Sequence, residues 1–90
     1  MLFEEYVKEN RSYFLDKVEE ISRKLMIAPE WLMAVMYKES KLNHKAVNST
    51  SGATGLIQFM PSTAQGLGTS TTALKNMSNI EQLDYVYKYY

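Results

Sequence analysis

The sequence predicts an all-α, or mostly α, fold. Three observations point there. Apolar residues recur at three- and four-residue steps, the spacing of a buried helical stripe. Helix-start signals punctuate the chain: Pro29, Pro61 and the stretch "SNIE" from Ser78 to Glu81. No stretch of any length alternates apolar with polar residues as a half-buried strand would. Composition agrees, because 46% apolar and 22% charged residues are the balance of a globular chain rather than a disordered one. Ninety residues fit one small domain, or part of a larger one, with a thin core.

The first segment, residues 1–28, reads as helix from Leu2 to Ile27, with a break at Asn10 because "LFEEYV" carries its own apolar cluster. Phe14, Val18, Ile21 and Leu25 form the stripe, and Glu19, Glu20, Arg23 and Lys24 fall on solvated faces. The second segment, residues 29–67, opens with Pro29 in a first helical turn, where a missing N–H costs nothing. The helix is expected at 29–41, with Leu32, Val35 and Met36 on its apolar face. At about 100° per residue, Glu39 falls roughly 20° from Leu32, between Val35 and Met36. The spacing therefore predicts a carboxyl on the centre line of the apolar face, where loss of water would favour the protonated acid.

Leu42 to Gly55 is rich in Asn, Ser, Thr and Gly, which is loop chemistry. "LIQFM" follows as a short apolar run interrupted by Gln58, and the 47–59 region leaves room for a short β-excursion. Pro61 opens a helix to about Gln65, with Met60 as a poor cap. The third segment, residues 68–90, starts with the loop "GLGTSTT". Thr71 or Thr72 caps a short helix to Asn76, and the capping-box spacing of "SNIE" starts a last helix with Ile80, Leu83 and Tyr87 on one face. No internal repeat or low-complexity tract interrupts this order.

Charge and composition exclude several functions. Ten basic and ten acidic side chains cancel, so the net basic footprint of a nucleic-acid-binding domain is missing. Without cysteine there is no disulfide and no thiolate metal site. His44 has no Asp, Glu or Cys beside it in sequence, so an exposed loop histidine is expected, and no metal or cofactor. No apolar run approaches the roughly 18 residues of a membrane-spanning helix. The start "MLFEEYVKEN" is acidic and lacks the charged beginning and apolar centre of a secretion signal.

The chemistry concentrates between Ala34 and Leu67. Glu39-Ser40 ends a helix; Asn43 and the pair Ala46-Val47 follow; then come Gly52, Ala53, Gly55, Leu56 and Gln58, and finally Met60, Pro61, Thr63 and Ala64. This ordered set resembles the sugar-cleaving domain of soluble lytic transglycosylases, which have a lysozyme-like fold. Four features depart from that pattern. Ile57 stands where Met is common, and His44 where Pro is common. The loop from Val47 to Gly52 looks one residue longer. The family's later Ala-Tyr-Asn-Ala-Gly-type motif, whose Tyr lies near the catalytic Glu, has no match, since "YVYKYY" lacks a following Asn or Gly. The family's domain is also longer, so the resemblance implies its N-terminal part, with residues 1–90 as a single partial domain.

The resemblance implies a substrate, the β-1,4 bond between N-acetylmuramic acid and N-acetylglucosamine in peptidoglycan strands. It makes Glu39 the catalytic acid and then base, closing a 1,6-anhydro ring. No Asp or Glu lies between Ser40 and Ile80, which fits a reaction that needs no second carboxylate close in sequence. Ser40, Gln58, Phe59, Met60, Gly52 and Gly55 are the candidate substrate-binding residues. Ser40 reads equally as a helix-end polar residue, and core packing is expected for Phe59 or Met60. Gly52 and Gly55 would shape the loop and admit the glycan. Trp31 and the seven Tyr are mostly expected in helix packing, with sugar stacking as the other use. Two rival functions stay open: a hydrolase on the same scaffold, like goose-type lysozymes, and an inactive glycan-binding or scaffold fragment. A homodimer through the incomplete edge is a further expectation, drawing on the six Met and the Tyr-rich end. Such domains work in the periplasm, outside the cell or in phage particles.

Overall fold

A computed structural model describes residues 1–90. A 3-10 turn at Glu4–Tyr6 is followed by α1 (Arg11–Leu25), α2 (Pro29–Ser40), α3 (Pro61–Gly66), α4 (Thr71–Asn76) and α5 (Asn79–Tyr89). No strand forms, and α1 packs against both α2 and α5. The fold is all-α, as the periodicity predicts. No helix is long and apolar enough to cross a membrane.

The expected break at Asn10 is where α1 begins: Asn10 takes a left-handed conformation (φ 52°), which Asn tolerates better than most residues. Phe14, Val18 and Ile21 bury the predicted stripe, while Leu25 is only half-buried at the helix end. Left-handed residues also stop α1 at Met26 and α2 at Lys41. In each case the next amide reaches back to close the last turn, Ile27 N–H to Ser22 O (2.9 Å) and Leu42 N–H to Met36 O (3.2 Å).

Two sequence expectations shift by one register. Ser70, not Thr71 or Thr72, caps α4, accepting from the Ala73 amide. On α5 the capping box forms as predicted between Ser78 and Glu81. Its buried face, however, is Asn79, Gln82, Leu83 and Val86, with Tyr87 exposed. Gln82 turns inward because its amide pairs the buried backbone at His44, Leu56 and Leu74, while Lys17 of α1 bonds Ile80 O (3.0 Å) and Asp84 (2.9 Å) at the side of that face.

The core joins α1 to Leu32, Met33 and Met36 of α2 and to Leu83 and Val86 of α5. Its remaining volume is filled by the segment between α2 and α3, which contributes Leu56, Ile57 and Phe59. Part of this stretch is therefore a buried loop, and its backbone polar groups must be paired. A short β-excursion does this: isolated bridges link Val47 to Thr54 and Thr54 to Phe59. Of the methionines expected at a copy–copy contact, Met33 and Met36 lie in the core, while Met26 and Met60 are exposed.

Candidate functional site

Glu39 lies in the last turn of α2, and its side chain is exposed. This corrects the expectation of a carboxyl on the buried centre line. The buried face of α2 is set by Leu32, Met33 and Met36 rather than by Leu32, Val35 and Met36. Centring on Met33 turns the face by a few tens of degrees, which moves Ser40 inward and Glu39 to the rim. Glu39 stands where a ligand can reach it.

Ser40 resolves toward structure. Its hydroxyl lies 2.8 Å from Leu56 O and 3.1 Å from Met36 O, so it ties the end of α2 to the loop that follows. The loop is anchored from its other side by a residue the sequence reading missed. Gln82 of α5 is fully buried, and all of its amide is used. Its Oε1 accepts from Leu56 N–H at 2.6 Å, and its Nε2 donates to His44 O (3.0 Å) and Leu74 O (2.9 Å). The signal was present in the sequence: a polar residue one position before Leu83 and four before Val86 sits on the helix's inner face and needs partners.

Gly55 is buried directly against that amide. A Cβ there would come within 2.5 Å of Gln82 Oε1, and the backbone is left-handed (φ 89°), so only glycine fits. Gly55 therefore shapes the loop and does not present itself to a glycan. Gly52 is also left-handed (φ 77°) and half-buried, in the turn that Asn48 closes by accepting from Thr50 and Ser51 amides. Gln58 is partly exposed, with Nε2 donating to Ala46 O (3.1 Å) and Gly55 O (3.0 Å), which leaves its carbonyl oxygen available. Its own left-handed backbone (φ 56°) is strained for a non-glycine residue, as at many binding sites.

Phe59 is corrected from groove lining to core: it is 2% exposed and meets Tyr89 edge-on at 6.3 Å. Met60, 46% exposed beside Pro61, is the one of the pair that faces outward. His44 is corrected as well. It is buried rather than exposed, with Nε2 4.0 Å from a carboxylate oxygen of Glu9, far away in sequence.

The C-terminal tyrosines come back to this region. Tyr89 meets Tyr90 edge-on at 5.0 Å, and Tyr90 meets Trp31 of α2 at 5.6 Å. Burial first, then Tyr89 and the charge of Glu39, push the Tyr90 phenol above its ordinary value. Tyr90 is thus close enough to Glu39 to sense it, although "YVYKYY" gave no motif that foretold the approach. Trp31, in the first turn of α2, and Tyr90 are both about half exposed.

An exposed carboxylate ends a helix, a loop is tied to that end, and the phenol of Tyr90 feels its charge. The family model of the transglycosylase SLT domain matches residues 16–84. The chain belongs to that family. The match runs from α1 through most of α5, so it extends the resemblance well beyond the 34–67 motifs. No curated protein and no solved structure matches the chain. Membership carries transglycosylase-type action on peptidoglycan as the domain's general character.

Proposed function

We propose that this SLT domain cleaves the β-1,4 bond between N-acetylmuramic acid and N-acetylglucosamine, with Glu39 as its one acid–base group. The observation that carries the reading is the placement of Glu39: an exposed carboxyl in the last turn of α2 whose charge reaches Tyr90. Ser40 and Gln82 both hold the backbone of Leu56, so the loop tied to the end of α2 needs little reorganisation when a strand binds.

A glycan laid against Glu39 would displace water from the reacting centre. Glu39 then gives its proton to the glycosidic oxygen as the C1–O bond breaks. The substrate's own N-acetyl carbonyl stabilises C1. The Glu39 carboxylate next removes the proton of the muramyl 6-hydroxyl, whose oxygen bonds to C1 and closes the 1,6-anhydro ring. No water enters the products, and no second carboxylate is used. The free carbonyl oxygen of Gln58 and the exposed Met60 are the substrate contacts this reading retains.

Purified peptidoglycan incubated with the chain should yield muramyl ends lighter by one water than a hydrolase would leave. Glu39→Gln should reduce turnover by roughly 10²–10⁴-fold. Reducing ends in place of anhydro ends would reassign the domain as a lysozyme-type hydrolase. Equal behaviour of parent and variant would end the catalytic proposal and leave a glycan-binding module.

A further inference from the structure

Five of the nine large apolar or aromatic side chains that stand exposed, Met26, Trp31, Tyr87, Tyr89 and Tyr90, lie where α1 ends, α2 begins and α5 ends. Contacts tie these three ends together. Lys24, in the last turn of α1, stands over the Tyr87 ring at 5.8 Å. Trp31, in the first turn of α2, meets Tyr90 edge-on at 5.6 Å, and Tyr90 meets Tyr89 at 5.0 Å. The turn from Met26 to Ala28 joins the two helices between those contacts, so it shares this end of the molecule with the last turn of α5. Met26 opens the turn with its side chain 92% exposed, and Ala28 is exposed as well.

Met26 has no use inside the monomer. Its backbone is left-handed (φ 59°), a position that glycine fills without strain, yet it carries a long apolar side chain into water. Strain of this kind clusters at functional surfaces. The cations around the turn are largely unpaired. Arg23 and Lys24 lie in the last turn of α1 and Lys88 in that of α5, and neither last turn holds a carboxylate. Arg23 and Lys88 have no carboxylate within 4.0 Å; Lys24 has Glu20 at 3.8 Å, with both groups more than half exposed. Glu30 and, further along α2, Glu39 are the carboxylates on the other side.

We infer that this end docks on an anionic lipid surface, with Met26 entering the acyl boundary, Trp31, Tyr87 and Tyr90 at headgroup depth, and Arg23, Lys24 and Lys88 facing lipid phosphates. The side-chain chemistry selects a bilayer. Trp and Tyr rings are apolar in body and polar at the tip, and they gather at membrane–water interfaces. Lys and Arg lay their apolar stems along such surfaces and extend their charge to the headgroups. Lys88 over Tyr85, at 4.8 Å, has that arrangement. A second copy of the chain fits less well. The four half-exposed rings and Met26 offer on the order of 500 Å², against roughly 800 Å² per partner in a stable dimer. The contact is peripheral, an apolar turn resting in the interface, and therefore reversible. None of these side chains takes part in the cleavage proposed above.

Trp31 is the chain's single Trp, so its fluorescence reports the contact directly. With vesicles of phosphatidylglycerol and phosphatidylcholine, its emission should shift to the blue, lipids brominated in their acyl chains should quench it, and the chain should float with the vesicles. Binding should weaken as salt rises and fall roughly tenfold or more on pure phosphatidylcholine. Met26→Gly should lose roughly tenfold in partitioning, the share of one buried Met side chain. That variant relieves the left-handed strain, so it should keep its helical circular dichroism. Arg23→Gln and Lys24→Gln should each cost roughly fivefold. Lys41→Gln makes the same change in net charge at the far end of α2 and should leave binding unchanged. Unmoved Trp31 emission with anionic vesicles, equal partitioning of parent and Met26→Gly, or an equal loss from Lys41→Gln would overturn the assignment. So would light scattering that shows a dimer, with Met26→Gly a monomer and the vesicles left unbound, because the face would then belong to a second copy.

Discussion

Gln82 carries more of the site's shape than any residue named from the motifs. Three backbone groups from three parts of the chain, at His44, Leu56 and Leu74, depend on its one amide. Gln82→Leu keeps the volume but leaves those groups buried and unpaired, so it should destabilise the fold by roughly 2–4 kcal/mol in urea titrations. Gly55→Ala attacks the same contact from the other side, through both the close approach and the left-handed backbone, and should cost roughly 2 kcal/mol or more. A milder substitution probes the Glu39 end of α2. Because the Glu39 charge helps raise the Tyr90 phenol, Glu39→Gln should lower the Tyr90 titration midpoint, though burial still holds it above the ordinary value of about 10. Ring-labelled tyrosine resonances would follow that residue separately, and an unmoved midpoint would place Tyr90 away from Glu39. The helical angle singled out Glu39 as a carboxyl at the end of α2. It misjudged the burial, because the face of α2 is decided by what α1 and the loop press against it. The sequence also concealed that Ser40 and Gln58 turn their donors inward, since a loop's internal hydrogen bonds depend on its path.

The helices were readable wherever a local signal marks a boundary. Pro29 and Pro61 start α2 and α3, Asn10 precedes α1, and the Ser78–Glu81 capping box starts α5. Ser78→Ala removes one half of that box and should cost about 1 kcal/mol, seen as a melting temperature several degrees lower. The same logic allows a gain. Met26 ends α1 with φ 59° and a side chain 92% exposed, so its left-handed conformation has no packing to offset the strain. Met26→Gly should stabilise the chain by roughly 1 kcal/mol, and a lower urea midpoint would show that the side chain does something unseen. The stretch from 42 to 60 was legible only as loop chemistry plus a short β-excursion. Its buried course depends on α5, more than twenty residues further along, and no local rule in the loop's own sequence reports a partner at that distance.

The N-terminal segment, the post-Glu39 loop and the start of α5 meet around one titratable group, which links the assembly of the molecule to pH. His44 is buried among Glu9 of the first segment, Lys45 of its own loop and the α5 contact made through Gln82. Burial lowers its pKa below the ordinary value; Glu9 opposes this and Lys45 reinforces it. The unfolded chain takes up a proton near about pH 6.5, whereas the folded chain takes it up only at the lower folded value. Between those two values the unfolded state holds more protons, so stability must fall as pH falls. Above the window His44 is neutral in both states, and below it charged in both, so the slope vanishes on either side. Urea midpoints measured in steps from pH 7.5 to pH 5 should decline through that window, and His44→Gln should flatten the decline. Lys45→Gln removes a charge that disfavours the imidazolium and should narrow the window from its acid side. The opposite slope, with stability rising as pH falls, would mean that Glu9 outweighs burial and that the segment docks as an ion pair.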